Sequence, residues 1–184
     1  MNIYKADLHT HTLFSPCGDL EMTPDNIIAL ALEQGVDVIA ITDHNSTRHC
    51  RLAEHYSHNR DIFVLCGAEI TTKEEAHCLA YMPDHEALDK LQAYLDEHLP
   101  DIPNNPDMFG DQVQIDEEFN IVYEEPRLLT SALDQTVNQI ADFVHSIGGL
   151  FVPGRSCEIT DILIDSAGVT LGALIYIFFK RRKN

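Results

Sequence analysis

Histidine and carboxylate side chains near the start of the chain have the spacing of metal ligands. Asp7, His9 and His11 alternate along one predicted strand, so their side chains point the same way. Two imidazoles at positions i and i+2 can bind one metal ion, and a neighbouring carboxylate can orient one of the rings. His-x-His is common by chance, but its place at the end of a first strand favours a metal site over surface or core histidines.

Two further predicted strands end beside a potential ligand. His44 comes directly after the apolar stretch 36–42, and Glu69 follows the apolar stretch 62–66. The carboxyl ends of parallel strands meet at one edge of an α/β sheet, where such folds place their chemistry. We therefore expect His44 and Glu69 to reach the same edge as His11.

His77 belongs to this group through the length of a loop. Residues 70–76 alone separate it from Glu69. A parallel crossover needs at least about a dozen residues, so the chain is expected to return antiparallel, with His77 opening the new strand beside Glu69. The alternative is a histidine that merely flanks a hairpin.

Other residues carry weaker signals. Cys17 is either a thiolate ligand or a locally packed cysteine, and Asp43 is predicted to orient a ligand or to shuttle a proton. The acidic stretch 116–118 reads as a solvated face. Three histidines on a helix of mixed polarity are expected at the surface: His49, His55 and His58. Three cysteines are expected in the core: Cys50, Cys66 and Cys78.

The elements that must position these residues follow a β-α-β-α-β order over the first 82 residues, which predicts an α/β fold. The stretch 99–127 is rich in Pro, Asn and Asp and is expected to form a long acidic loop. Strands are predicted at 3–7, 36–42, 62–66 and 150–152, and helices at 23–34, 47–57, 85–98 and 131–147.

Composition narrows the class of protein. The chain has 184 residues and a formal net charge of −18, so a single domain without non-specific nucleic-acid binding is expected. Five cysteines without close pairs, and a polar start without a signal peptide, predict a cytosolic protein with reduced thiols. The uncharged stretch 167–179 is short for a membrane span, which needs about 20 apolar residues.

The order of these motifs resembles the PHP (polymerase and histidinol phosphatase) family over residues 3–153, especially its small stand-alone bacterial members, which are regarded as metal-dependent phosphoesterases. The motifs are Asp7-x-His9-x-His11, Thr42-Asp43-His44, and Gly67-x-Glu69 followed by His77. The resemblance implies a distorted (β/α)7 barrel with two or three Zn, Mn or Fe ions. It also implies ligand roles for His9, His11, His44, Glu69 and His77, and places Cys17 near a variable ligand position.

The chain departs from the family after residue 153. Arg155 stands where members carry a histidine, no histidine follows His145, and residues 154–184 do not resemble the family. We expect an incomplete barrel and one or two metal ions instead of three. The exposed sheet edge is expected to pair with another chain or to be covered by the apolar tail. The divergent tail is interpreted as a core segment, with a tail anchor or a changed coding frame near Gly154 as alternatives.

The leading functional hypothesis is a metal-dependent hydrolase that acts on a small phosphorylated substrate through a metal-activated water. Two alternatives stay open. One is a catalytically impaired remnant that still binds metal, since late ligands of the family are missing. The other is an amidohydrolase-type metal hydrolase, because those enzymes also begin with His-x-His.

Overall fold

Helices and strands alternate along the computed structural model, which describes residues 3–153. The elements are β1 (Ala6–Thr10), α1 (Pro24–Glu33), β2 (Val38–Ile41), α2 (Cys50–Ser57), β3 (Phe63–Thr71), β4 (His77–Tyr81), α3 (His85–His98), α4 (Pro106–Phe109), β5 (Val113–Ile115), β6 (Ile121–Glu124), α5 (Val137–Ser146) and β7 (Leu150–Val152).

Within the part of the chain that the structure describes, five strands form the main sheet, in the order β1-β2-β3-β4-β7. The strands β1, β2 and β3 are parallel, whereas β4 runs antiparallel to β3 and β7 runs antiparallel to β4. The antiparallel return at His77 is therefore confirmed. In its register Thr71 faces His77 and Glu69 faces Leu79, so His77 is the diagonal neighbour of Glu69 on the same face of the hairpin.

The α/β class is confirmed, but the residues that the structure describes do not close into a (β/α)7 barrel. Within residues 3–153 the sheet stays open, with β1 and β7 as its two edges. The strand β7 had been expected from the apolar stretch 150–152, and it pairs with β4. The predictions for Arg155 and for the tail 154–184 lie outside the described residues.

The strand β3 is longer than its apolar stretch predicts. Its first half, Phe63 to Cys66, pairs with β2, and its second half, Gly67 to Thr71, pairs with β4. The change of partner keeps the backbone extended beyond Cys66, so Glu69 lies within the strand and not after it. This geometry holds the Glu69 side chain firmly, because its backbone is part of a ladder.

The core lies between the sheet and its helices. It includes the buried faces of α1 and α3, the strands β2 and β3, and the three cysteines expected there, Cys50, Cys66 and Cys78. Among the described residues, no helix has both the length and the apolarity needed to cross a membrane.

The acidic stretch 99–127 is more ordered than predicted. It contains the short helix α4 and the two-stranded sheet of β5 and β6. Val113 and Ile115 of β5 are buried against Leu13, in the loop after β1, with Leu52 packed beside them. A few alternating apolar residues thus anchor an otherwise polar segment beside the sheet edge.

Replacing Gly67 by alanine tests the contact between β3 and β4. A Cβ at Gly67 would collide with the carbonyl oxygen of Ala80, which cannot move without breaking the ladder. We expect a loss of about 3 kcal/mol in unfolding free energy, the upper range for overpacking, measured by urea denaturation. Metal affinity should fall as well, because Glu69 lies two residues along the strand.

Gly35→Ala is the matched control. Gly35 has a φ of 64° and no atom within 4 Å of a built Cβ, so alanine there costs only the backbone strain of about 1 kcal/mol. Equal losses of stability in the two variants would show that the close approach at Gly67 is unimportant.

Candidate metal centre

The carboxylate of Glu69 lies at the centre of four histidines at the carboxyl end of the parallel strands. Its Oε2 is 3.2 Å from His9 Nε2, 3.2 Å from His11 Nε2 and 3.1 Å from His44 Nδ1. Its other oxygen, Oε1, is 3.0 Å from His77 Nδ1. The five side chains therefore meet in one place, and their role as ligands stays a prediction.

Backbone hydrogen bonds hold His44 and Glu69 side by side. The peptide N–H of Glu69 donates to the carbonyl of Asp43 at 3.1 Å, and the N–H of Asn45 donates to the carbonyl of Glu69 at 2.8 Å. His44 and Glu69 consequently form a parallel bridge just beyond β2. The alternation along β1 brings His9 and His11 to the same point, with their Nε2 atoms 3.1 Å apart.

These separations fit a divalent metal ion. The ligand atoms of a tetrahedral zinc with bonds of 2.0–2.1 Å lie about 3.3 Å from each other. Among residues 3–153, three groups of side chains have ligand atoms within 4.8 Å of one another: His9, His11 and Glu69; His44, Glu69 and His77; and His11, Cys17 and His44. Glu69 belongs to two of these groups and is the carboxylate that they share.

The buried Nδ1 of His44 shows that a metal suits this site. It lies 3.1 Å from Glu69 Oε2 but without hydrogen-bonding geometry, so among the described residues this atom has no hydrogen-bond partner. Burial lowers the pKa of His44 to about 4, although the charge of Glu69 opposes the shift. The ring is thus neutral near pH 7, and one of its two nitrogens carries the lone pair that a metal ligand needs.

The carboxylate of Glu69 stays ionised despite its burial. Burial alone would raise the pKa of its carboxyl, but the neighbouring imidazoles of His11 and His77 hold that pKa well below its usual range. In return, the hydrogen bond to Glu69 raises the pKa of His77. The site therefore contains a buried negative charge beside four imidazoles, and a cation could share that charge.

Cys17 lies at the rim of the cluster. Its thiol belongs to the group with His11 and His44, and the residue is exposed. Burial of the thiol group raises the pKa of Cys17, so a metal ion would have to displace its proton on binding.

Asp43 lies behind the histidines and not among them. It is fully buried and accepts three hydrogen bonds: from the Thr12 peptide N–H at 2.7 Å, from Thr12 Oγ1 at 2.7 Å and from Ser15 Oγ at 2.8 Å. Its connection to a predicted ligand runs through Ser15, whose Oγ is 3.1 Å from His11 Nδ1. We therefore treat Asp43 as a positioning residue, and its part in proton transfer stays a prediction.

Ser15 determines which nitrogen of His11 faces the site. Its single hydroxyl proton is donated to Asp43, so Ser15 Oγ can only accept at its contact with His11 Nδ1. The proton of a neutral His11 ring then lies on Nδ1, which leaves the Nε2 lone pair directed at Glu69 and His9. Ser15 also accepts the peptide N–H of His44 at 3.0 Å, so one hydroxyl orients two predicted ligands.

The prediction of a surface position is wrong for His49. The helix α2 begins at Cys50 and not at Thr47, so His49 lies in the preceding turn and is fully buried. His55 and His58 are exposed, as predicted. Sequence reasoning also missed Thr12 and Ser15, whose only signal is that small hydroxyl residues surround His-x-His.

Comparison with known proteins places the chain in a family. The sequence model of the PHP domain matches residues 7–163, which is most of the chain. The chain belongs to the PHP domain family. The predicted ligands and Asp43 all lie within the matched residues.

One curated relative matches only part of this chain. An uncharacterized protein of Methanocaldococcus jannaschii is 37% identical over 78 residues, which are 38% of this chain and 46% of that protein. The chain therefore spans about half the length of this curated relative.

One solved structure shares the fold of this chain. A "putative metal-dependent phosphoesterase" of Bifidobacterium adolescentis superposes with a TM-score of 0.53 at 19% identity, over 82% of this chain and 66% of that one. An amidohydrolase of Chromobacterium violaceum is 28% identical over 50% of this chain and 32% of its own, with a TM-score of 0.41, too low to argue from.

Glu69→Gln tests the centre of the cluster. The amide keeps the size of the side chain but removes the charge that faces four imidazoles, so zinc or manganese affinity should fall by more than about 100-fold. Competition with a chromophoric chelator measures this. Glu54→Gln is the control. Glu54 lies outside the cluster, with its Oε2 atom 2.6 Å from His85 Nε2, so this substitution should leave metal affinity unchanged. Equal affinities in both variants would contradict a metal centre at Glu69.

Ser15→Ala tests the orientation of His11. Without the hydroxyl, the ring of His11 loses the acceptor that fixes its proton, and metal affinity should fall by about 10–100-fold. Ser146→Ala removes a hydroxyl that donates to Phe143 O in α5 and should bind metal normally. Unchanged affinity in Ser15→Ala would show that the ring is oriented by the metal alone.

Proposed function

We propose that this protein is a metal-dependent hydrolase of phosphate esters. The observation that carries the proposal is the arrangement of three histidine nitrogens within 3.1–3.2 Å of one carboxylate oxygen, with a fourth at 3.0 Å from the other oxygen. Membership of the PHP domain family supports a metal-dependent hydrolase in general. The name of the Bifidobacterium protein supports phosphate esters in particular.

Charge at the site also favours a phosphorylated substrate. Bound divalent ions would supply Lewis acidity, lowering the pKa of a water and polarising a phosphoryl group. Four neutral imidazoles, the Glu69 carboxylate and a Cys17 thiolate would not neutralise two such ions. The centre would then be positive within a protein of net charge −18, and an anionic phosphate monoester would be attracted where a neutral amide would not.

The burial of the cluster indicates how a substrate would approach. The side chain of Glu69 is 8% exposed, whereas those of His9 and His77 are 44% and 42% exposed. Glu69 and His44 thus form the closed floor of the site, and His9 and His77 lie at its open side. We expect a small phosphorylated compound to approach from the side of His9 and His77.

Several properties of the whole protein belong to the same proposal. We propose that the open sheet is the first part of a distorted (β/α)7 barrel, and that one or two Zn, Mn or Fe ions are bound. We also propose that the exposed edge of the sheet at β1, whose residues are largely accessible, pairs with a second copy of the chain.

Hydrolysis of p-nitrophenyl phosphate tests the function. With added Mn²⁺ or Zn²⁺ the purified protein should release p-nitrophenol, slowly if late ligands of the family are absent. A chelator should abolish the reaction and Mn²⁺ should restore it. Glu69→Gln should lower the rate by at least about 100-fold, because hydrolysis needs the bound metal and this variant binds metal weakly. Glu54→Gln should not change the rate.

A p-nitroanilide amide serves as the competing substrate. Cleavage of the amide without cleavage of the phosphate ester would favour an amidohydrolase. Full metal occupancy with no turnover of either substrate would favour a metal-binding remnant.

A further inference from the structure

A buried histidine that is not among the predicted ligands lies behind the metal centre. His49 is fully buried between the loop that follows β1 and the strand β5. Its Nδ1 is 2.7 Å from Thr12 Oγ1, and its Nε2 accepts the peptide N–H of Ile115 at 3.1 Å. The ring therefore bridges the loop that begins at His11 to the segment 99–127.

The contact with Ile115 fixes the tautomer of His49. A peptide N–H can only donate, so Nε2 has to be the unprotonated nitrogen. In a neutral ring the proton lies on Nδ1 and is donated to Thr12 Oγ1. Burial lowers the pKa of His49, which agrees with a neutral ring.

The hydroxyl of Thr12 connects His49 to Asp43. Thr12 Oγ1 accepts from His49 and also from the peptide N–H of Phe14 at 3.1 Å. Its own proton is then committed to Asp43 Oδ2 at 2.7 Å. The direction of each hydrogen bond is fixed because the peptide N–H of Ile115 at one end can only donate and the carboxylate of Asp43 at the other end can only accept.

Asp43 joins this chain of hydrogen bonds to a predicted ligand. Its Oδ1 accepts the hydroxyl of Ser15, and Ser15 in turn accepts from His11 Nδ1. Donors therefore converge on Asp43 from two sides, from His49 through Thr12 and from His11 through Ser15. All members except His11 are fully or almost fully buried, so water does not replace a missing partner.

We propose that His49 is a positioning residue of the metal centre. By donating to Thr12, it holds Asp43 in the orientation in which Ser15 can accept from His11. The contact with Ile115 fixes which ring nitrogen carries the donated proton. The packing of Leu13 against Val113 and Ile115 stabilises the same contact. This inference rests on the metal centre of the proposed function, but not on the identity of the substrate.

The tautomer is tested first, on the metal-free protein. Long-range ¹H–¹⁵N correlation spectra of ¹⁵N-histidine-labelled protein should show His49 with a protonated Nδ1 and an unprotonated Nε2. His49→Asn provides the assignment, because its spectrum lacks that ring. A proton on Nε2 would overturn the proposal, since Ile115 could not then donate.

Two substitutions separate the hydrogen bond of His49 with Thr12 from its hydrogen bond with Ile115. In His49→Asn the amide nitrogen takes the place of Nδ1 and can still donate to Thr12. In His49→Gln the amide oxygen takes the place of Nε2 and can still accept from Ile115, but the donor to Thr12 is lost. We expect Zn²⁺ affinity within about threefold of the original chain for Asn, and a 10–100-fold loss for Gln. The visible spectrum of bound Co²⁺ should change in Gln and not in Asn.

A purely structural role predicts a different result. The two variants would then lose stability in thermal unfolding and keep equal metal affinities and Co²⁺ spectra, which would overturn the proposal. A second pair guards against variants that do not fold. Thr12→Ser keeps the hydroxyl and should bind Zn²⁺ within about threefold of the original chain, whereas Thr12→Val should lose 10–100-fold. Equal affinities in this pair would also overturn it.

The outcome is separable from that of the proposed function. If Glu69→Gln binds Zn²⁺ as tightly as the original chain, the metal centre itself is wrong. If Glu69→Gln loses metal but the His49 and Thr12 pairs show no difference, the centre stands and only the positioning role of His49 fails. Lack of phosphoesterase activity affects neither measurement.

Discussion

The burial of the Glu69 carboxylate is the constraint on which the rest of this site depends. An ionised carboxylate removed from water is costly unless hydrogen bonds or opposite charges compensate it. Here the compensation comes from imidazoles that reach its two oxygens from β1, from the end of β2 and from β4. Each of these strands must therefore end, or begin, at the same height of the sheet. The switch of β3 from a parallel to an antiparallel partner makes this possible.

A second buried carboxylate, Asp43, has a different task. It faces hydroxyl and peptide donors instead of imidazoles, and no predicted ligand contacts it directly. A carboxylate that accepts three hydrogen bonds is a rigid reference point, because any rotation would leave a buried donor unpaired. The site thus has one carboxylate, Glu69, that can share charge with a cation and a second, Asp43, that helps to orient the His11 ring. The two carboxylates are linked through Ser15 and His11.

Much of the fold could be read from the chain because local rules govern it. Apolar stretches located β2 and the start of β3, and the short loop before His77 required an antiparallel return. The same rules failed where contacts between residues far apart in sequence determine the secondary structure. The strand β3 continues past its apolar residues because β4 pairs with them, and the segment 99–127 contains β5 and β6 because Val113 and Ile115 find a partner in Leu13. Neither contact leaves a periodic pattern long enough to recognise.

The sequence by itself determined which residue types meet and at which edge of the sheet they meet. Strand alternation predicted His9 and His11, the end of an apolar stretch predicted His44 and Glu69, and the short loop before it predicted His77. These signals depend only on residues that are close in sequence. Tertiary structure alone decided how these side chains are held. The roles of Ser15, Thr12 and His49 arise from hydrogen bonds between residues that lie up to 66 positions apart, such as that between Ile115 and His49. Hydroxyls and lone histidines carry no spacing signal, so only the folded chain shows which donor each acceptor receives.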